Sequence, residues 1–292
     1  MQRVLLLLLL SGSLSWTPTA RQEILRDSRE SAGDLALGGE LRGLPPAGTR
    51  YVRYEDLVQL PLETYTVADD PNFSGETQIS GVPLATLIRL FADTGGPGSK
   101  DLMVVAICKD GYRAHFPQDY IEQHRPLLVL RIDGKDRDGW PAVEGGGRLG
   151  PYLISHPSFK PAFKVLSHED EAQIPFGITE LDFWRESVVF KAILPHGRTA
   201  RSLQVKQGYA IARQDCFRCH NSGSEGGTLA GRSWGQLAAD ADGDGTRFRQ
   251  IIRDPGSVMK GARMPPHSSY DDATLNALTA YFKTFAPLGR GR

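Results

Sequence analysis

The stretch DCFRCHNSG, residues 215–223, holds two of the chain's three cysteines, and a histidine directly follows the second. With 3 Cys and 7 His in 292 residues, a Cys-x-x-Cys-His run arises by chance in about one sequence in a thousand. Three chemistries compete for it: a redox dithiol, half of a zinc site, and the attachment point of a c-type haem. Zinc wants four ligands, usually completed by a second close Cys or His pair. Only Cys108 is left, with no pair of its own. A thioredoxin-like dithiol belongs in a βαβ unit, whereas the flanks here read as glycine-rich loop and helix. Haem is the reading that fits. Cys216 and Cys219 each offer a thiol for a thioether to a vinyl group, and His220 offers an axial imidazole.

A second axial ligand is expected later in the chain, and VMKGARMPPHSSYDD, residues 258–272, supplies candidates. Met264 leads, because Pro265 and Pro266 stiffen the loop that carries it. Met259 and His267 remain alternatives. The flanks read as helices. Val205, Gly208, Tyr209 and Ala212 recur at helical spacing, as do Leu275, Leu278, Phe282 and Phe285 behind a cap at Asp271 or Asp272. Gly208 lacks a side chain, so a second helix can cross closely there, near Tyr281. DADGDG (240–245) resembles a calcium loop, but Ile251 stands where a bidentate glutamate is required, so an acidic turn is expected.

Residues from about 204 to 287 resemble a class I cytochrome c domain. The likeness rests on CFRCH, IIRDPGSVMKGARMPP and LNALTAYFKTF. It covers under a third of the chain. It implies an all-α domain with one covalent haem c on Cys216 and Cys219, His220 and Met264 on the iron, and electron transfer as the task. One feature departs from the pattern. GGTLAGRSWG (226–235) lacks the proline whose carbonyl often accepts the axial histidine's Nδ1–H.

Residues 1–20 place Arg3 before an apolar run from Val4 to Leu10, followed by small polar residues. That run is far short of the roughly 20 residues that span a bilayer, and the pattern reads as a cleaved secretory signal. A periplasmic or otherwise exported protein with no membrane span in the mature chain is expected. Thirty-four Lys and Arg balance 34 Asp and Glu, so nothing points to nucleic acid. With Cys216 and Cys219 on haem, Cys108 has no disulfide partner.

The region from 35 to 194 reads as mixed α and β. Residues 102–108, 126–133 and 187–194 look like strands. Helices are expected at GVPLATLIRLFADTGG (81–96) and PQDYIEQHR (117–125). The polar stretch 195–202 reads as a linker to a domain at 203–290. Four segments in order resemble the molybdopterin-binding domain of the sulfite oxidase family: VRYEDLVQLP, ISGVPLATLIRLF, VAICKDGYRAHFPQDYIEQHRPLLVLRIDGK and GWPAVEGGGRLGPYLI. In that family a cysteine between the first two segments binds molybdenum. Here that interval, residues 62–78, has none, and Cys108 comes too late in the chain to match. Molybdopterin is therefore not expected. His115 and His156, with Lys109, Arg113 and Arg148 nearby in sequence, are candidates for an anionic ligand; EGGGRLG (144–150) reads as a structural turn.

The expected fold class is α+β: a mixed α/β, sulfite oxidase-like N-terminal domain followed by an all-α cytochrome c domain. The expected function is electron transfer between redox protein partners, with membership of a larger respiratory assembly in view. The alternatives are a molybdenum–haem oxidoreductase that passes electrons to its own haem and, more weakly, a haem-based sensor or structural subunit of a respiratory complex. From Leu203 onward 12 Lys and Arg face 8 Asp and Glu, an excess of four. Arg213, Arg218, Arg253, Lys260 and Arg263 lie near the motifs and suggest a basic docking ring.

Overall fold

The computed structural model describes residues 24–45, 48–95, 101–142 and 147–286. The leader expected at 1–20 lies outside the described residues, as do part of the 144–150 turn and the end of the 203–290 segment. The strands in chain order are β1 (Leu35–Gly39), β2 (Arg50–Val52), β3 (Glu63–Val67), β4 (Thr77–Pro83), β5 (Leu102–Cys108), β6 (Arg113–Pro117), β7 (Leu127–Ile132), β8 (Lys135–Asp136), β9 (Leu153–Ser155), β10 (Lys164–Val165), β11 (His168–Glu169) and β12 (Ile178–Arg185). One sheet runs β2-β1-β12-β5-β6, with β1 parallel to β12 and its other pairs antiparallel. The other runs β3-β4-β7-β8, with β9 also on β7, all antiparallel.

Two helices pack with these sheets. Helix α1 (Leu84–Phe91) buries Leu84, Leu87, Ile88 and Phe91, the stripe read from the sequence, and Pro83 stands at its N-cap. Helix α2 (Gln118–His124) buries Tyr120, Ile121 and His124. A run such as LMVVAIC is buried along almost its whole length because both faces of β5 are covered: Leu102, Val104, Ala106 and Cys108 enter one apolar core, and Met103 and Val105 another.

Residues 187–194 are not a strand. The chain makes a one-turn helix at Glu186–Val189 and a 3-10 turn at Phe190–Ile193. Asp101 explains the difference. Its carbonyl accepts from the Glu186 N–H, and its carboxylate accepts from the N–H and hydroxyl of Ser187. The turn drives Val189, Phe190 and Ile193 into a core, so packing overrides β propensity. Pairing reaches its end one element earlier, at β12.

After a stretch at 194–202 with neither helix nor strand, the chain becomes helical: α3 (Leu203–Gln214), α4 (Trp234–Gly243), α5 (Gly245–Arg253) and α6 (Asp272–Lys283). The Ser202 hydroxyl caps α3 and the Asp271 carboxylate caps α6. A Cβ on Gly208 would lie 2.1 Å from the Ala277 carbonyl oxygen and 2.6 Å from Cβ of Tyr281. Only glycine lets α3 and α6 cross this closely. DADGDG ends α4 and begins α5, where Asp244 accepts from the Thr246 and Arg247 N–H groups. It is a capping element.

The molecule is thus mixed α/β, with its sheets in the N-terminal region and helices at the C-terminus. Two apolar cores lie within the sheet region. A third joins Met103, Val105, Val189, Phe190 and Ile193 to Val205, Phe217, Trp234, Leu278 and Tyr281, so the two halves share it. No described helix is long and apolar enough to cross a membrane.

Candidate functional site

Helix α3 leads straight into the Cys-x-x-Cys-His segment, a 3-10 turn at Cys216–Arg218. The Cys216 carbonyl accepts from the N–H of Cys219 at 3.2 Å and of His220 at 3.0 Å, which winds the segment into one turn. A two-stranded hairpin, β13 (Asn221–Ser222) and β14 (Glu225–Gly226), folds back over it. The Gly227 N–H donates to the Phe217 carbonyl at 2.9 Å, and a Cβ on Gly227 would fall 1.8 Å from the Arg218 carbonyl oxygen. That contact tolerates glycine alone.

Cys216 and Cys219 are free, half-buried thiols. Burial, with the Asp215 carboxylate, pushes Cys216 well above the ordinary thiol pKa; burial pushes Cys219 to about 11. A redox dithiol is activated the opposite way, by a lowered pKa. His220 is buried, and burial lowers its pKa, so the imidazole is neutral. Its Nδ1 lies 2.8 Å from the Arg232 carbonyl. A bond there fixes the proton on Nδ1 and leaves Nε2 without a hydrogen bond among the described residues. The carbonyl that the missing proline would have offered therefore comes from GGTLAGRSWG itself, from Arg232. Sequence reasoning missed this, since any residue's carbonyl serves and only the loop's path decides which.

Met264 is half-buried against the same apolar cluster as Cys216, Phe217 and Trp234. Met259 is half-buried at the C-cap of the one-turn helix Pro255–Val258 and is not part of that cluster. His267 is already engaged. Its Nδ1 lies 3.3 Å from the Asp215 carboxylate, and its ring stacks on Tyr270 with centroids 4.8 Å apart. Two thiols and an imidazole with Nε2 open in one turn, with a thioether on the same apolar cluster as Cys216, are the donor types of a c-type haem, and they fit it.

The sheet region closes over this segment. Thr228 N–H donates to the Gly111 carbonyl at 2.8 Å, and the Arg113 guanidinium donates to the Ser224 carbonyl at 3.0 Å. Tyr281 donates to the Ile193 carbonyl at 2.6 Å. Gln214, the last residue of α3, donates to Asp170 and pairs with His168 Nε2, while His168 Nδ1 meets the Tyr270 hydroxyl at 2.7 Å. Tyr270 in turn donates to Asp215 at 2.8 Å. A polar chain thus crosses the junction and ends beside Cys216. Burial opposes the charge on Asp215, but His267 and Arg218 outweigh it and hold its pKa below the usual carboxylate range. His168, Glu171 and Asp215 bring ligand atoms within 4.8 Å of one another. Both His168 nitrogens are already bonded, however, and the Arg218 guanidinium lies 3.5 Å from Glu171.

The basic ring read from the sequence needs correction. Arg218 is buried, donates to the Gln214 carbonyl and pairs with Glu171. Arg213 pairs with Glu186 and Arg253 with Asp272. Lys260 and Arg263 are exposed and stand in no ion pair among the described residues. His115 and His156 are buried, and neither hydrogen-bonds Lys109, Arg113 or Arg148 among the described residues. His156 Nε2 bonds the Tyr120 hydroxyl, and His115 stacks on Phe217. Cys108 is 4% exposed in the first core, and burial pushes its thiol to about 12, so it packs as a small apolar side chain.

Residues 203–282 match a family model described as cytochrome c oxidase, cbb3-type, subunit III. No curated protein matches the chain. The matched segment begins at the first residue of α3, stops one residue short of the end of α6, and contains Cys216, Cys219, His220 and Met264. Residues 203–282 form a cytochrome c domain, a kind that binds haem c and transfers electrons.

Proposed function

We propose that the chain is an exported electron-transfer cytochrome of two domains, at 35–194 and 203–290, joined by 195–202 after removal of a leader at 1–20. One haem is attached through Cys216 and Cys219, with His220 and Met264 as axial ligands. Its partners are redox proteins, and it serves alone or as a subunit of a respiratory assembly. A haem held here supplies a one-electron couple; the chain's residues do the rest. The Arg232 carbonyl fixes the His220 tautomer and ring direction. Phe217, Trp234, Tyr281 and Phe282 keep water from the site. If His220 and Met264 both held the group, no open position would remain for substrate, and outer-sphere electron transfer would be the chemistry it supplies.

The N-terminal domain, in this reading, is a sulfite oxidase-like module that has lost its metal thiolate and now serves as scaffold. What supports this is the absence of cysteine from 62–78, the burial of Cys108 in apolar core, and the close seating of the sheet region on the haem-attachment segment. Mass spectrometry for metals, on protein from a host that makes the cofactor, tests it. The expected result is iron near one per chain; near-stoichiometric molybdenum would promote the molybdenum–haem oxidoreductase.

The observation that carries the electron-transfer reading is the neutral, Nδ1-tethered His220 in the same turn as two free thiols. Met264→Ala tests the ligand set. The variant should lose the charge-transfer band of the oxidised Met–iron bond and show a lower reduction potential. If Met259→Ala does this while Met264→Ala does not, the assignment fails.

A further inference from the structure

A cavity of about 220 Å³ opens where the two halves meet. The sheet region contributes His115, Tyr120, His124 and Gln173 to its wall, and the helical region contributes Arg213 and Gln214. His115 sets it apart from an ordinary crevice. The residue is 3% exposed, and neither ring nitrogen has a hydrogen-bond partner. A buried imidazole left unpaired on both sides carries an uncompensated desolvation cost at each nitrogen. Several other polar groups beside it are satisfied, although His156 Nδ1 is buried without a partner among the described residues. His124 holds Asp170 at 2.9 Å, Tyr120 holds His156 at 2.9 Å, and Gln214 spans Asp170 and His168. Gln173 uses its oxygen on the backbone N–H of His115, and its amide NH2 has no partner among the described residues.

The lining decides the chemistry. Asp119 and Asp170 bring two carboxylates, against a single guanidinium, Arg213, that Glu186 already holds at 2.6 Å. Burial, with Arg113, Arg218 and Arg213 nearby, lowers the His115 pKa to about 3, so the ring is neutral. An anion would meet no free cation there. The rings of His115, Tyr120, His124 and Phe190 instead give flat apolar walls. A cavity of about 150 Å³ holds benzene, so this one admits a single substituted ring. We propose that the junction cavity binds a small neutral aromatic ligand bearing a hydrogen-bonding oxygen, which pairs with His115 and the Gln173 amide. The site reaches the haem-attachment turn through one contact: the His115 and Phe217 rings stack at 5.0 Å and 20°, and Phe217 lies between Cys216 and Cys219.

The cavity stands on its own lining and does not depend on the axial-ligand assignment. The test is titration calorimetry of the full-length holo-protein with 4-hydroxybenzamide, with sodium sulfate as the anionic competitor. One saturable site per chain is expected, unaffected by sulfate. His115→Phe keeps the ring stack, removes both nitrogens and should weaken binding several-fold. Ala162→Trp, at an exposed position on the cavity wall, should weaken it at least tenfold, with the haem spectrum unchanged in both variants. Absence of saturable binding, or binding that both variants leave intact, would overturn the proposal. Competition by sulfate would overturn it in favour of an anion site.

Discussion

The sheet half and the helical half bury polar groups in opposite ways. In the sheet half they are answered from within the chain: His124 by Asp170, His156 by Tyr120, Ser155 by Asp70. Cys108 simply fills core. In the helical half Cys216, Cys219 and the Nε2 of His220 converge on one turn, and no group among the described residues answers them. The first half answers most of its buried polar groups itself, and the second gathers donors that no described residue answers. His115 belongs to the sheet half yet, like His156 Nδ1 and Asp182 Oδ1, keeps buried polar atoms without a partner among the described residues, and it sits on the junction. The two halves nonetheless share a core through Met103, Val105, Phe190 and Ile193. The comparison therefore concerns chemistry rather than independent folding.

The harshest way to break that shared core is Gly208→Val. The branched side chain has nowhere to go between Ala277 and Tyr281, so about 3 kcal/mol or more of stability should be lost. Chemical denaturation followed by both sheet circular dichroism and haem absorbance should show one transition, shifted downward. Two well-separated transitions would mean that the halves do not fold together.

A milder probe uses His115. Its folded pKa of about 3 lies below the ordinary 6.5, so the unfolded chain binds an extra proton between those values. The stability from the neutral ring is complete above about pH 6.5 and is lost as pH falls toward 3. Compared with His115→Phe, the wild type should lose about 1.4 kcal/mol per pH unit inside that window. Parallel curves for the two proteins would show that His115 is not buried neutral.

The smallest effect concerns docking. With Arg218 buried and Arg213 and Arg253 paired, Lys260 and Arg263 carry the free charge near the ligand loop. Stopped-flow oxidation by an acidic redox partner should slow only modestly with salt, and Lys260→Ala/Arg263→Ala should remove most of that dependence. A steep dependence that survives the double variant would place docking elsewhere.

Much of this was legible in the sequence because it is local. The Cys-x-x-Cys-His turn, the Asp271 cap, the apolar stripe of α1 and the bare face of Gly208 each depend on neighbours within a few residues. What was hidden depends on distant chain. The 186–193 turn hangs on Asp101, and the His220 partner hangs on the path of the loop to Arg232. Arg218 reads as a surface cation until Tyr112 and Glu171 from the other half enclose it. β1 is short and ends in glycine, and β12 is broken up by charge, so neither shows a clean period, yet β12 is the central strand. The junction cavity belongs to no motif at all.

The central claim is that the turn at 216–220 is completed by covalent haem. Purified protein should be unfolded in acid and urea, passed through a denaturing gel with haem staining, and weighed by intact-mass spectrometry. The account predicts a haem-positive band, a mass raised by one haem, and no free thiol at Cys216 or Cys219. Cys216→Ser/Cys219→Ser should lose the haem-positive band and the added mass. A band that sheds its haem on unfolding, or two thiols still open to alkylation, would contradict it.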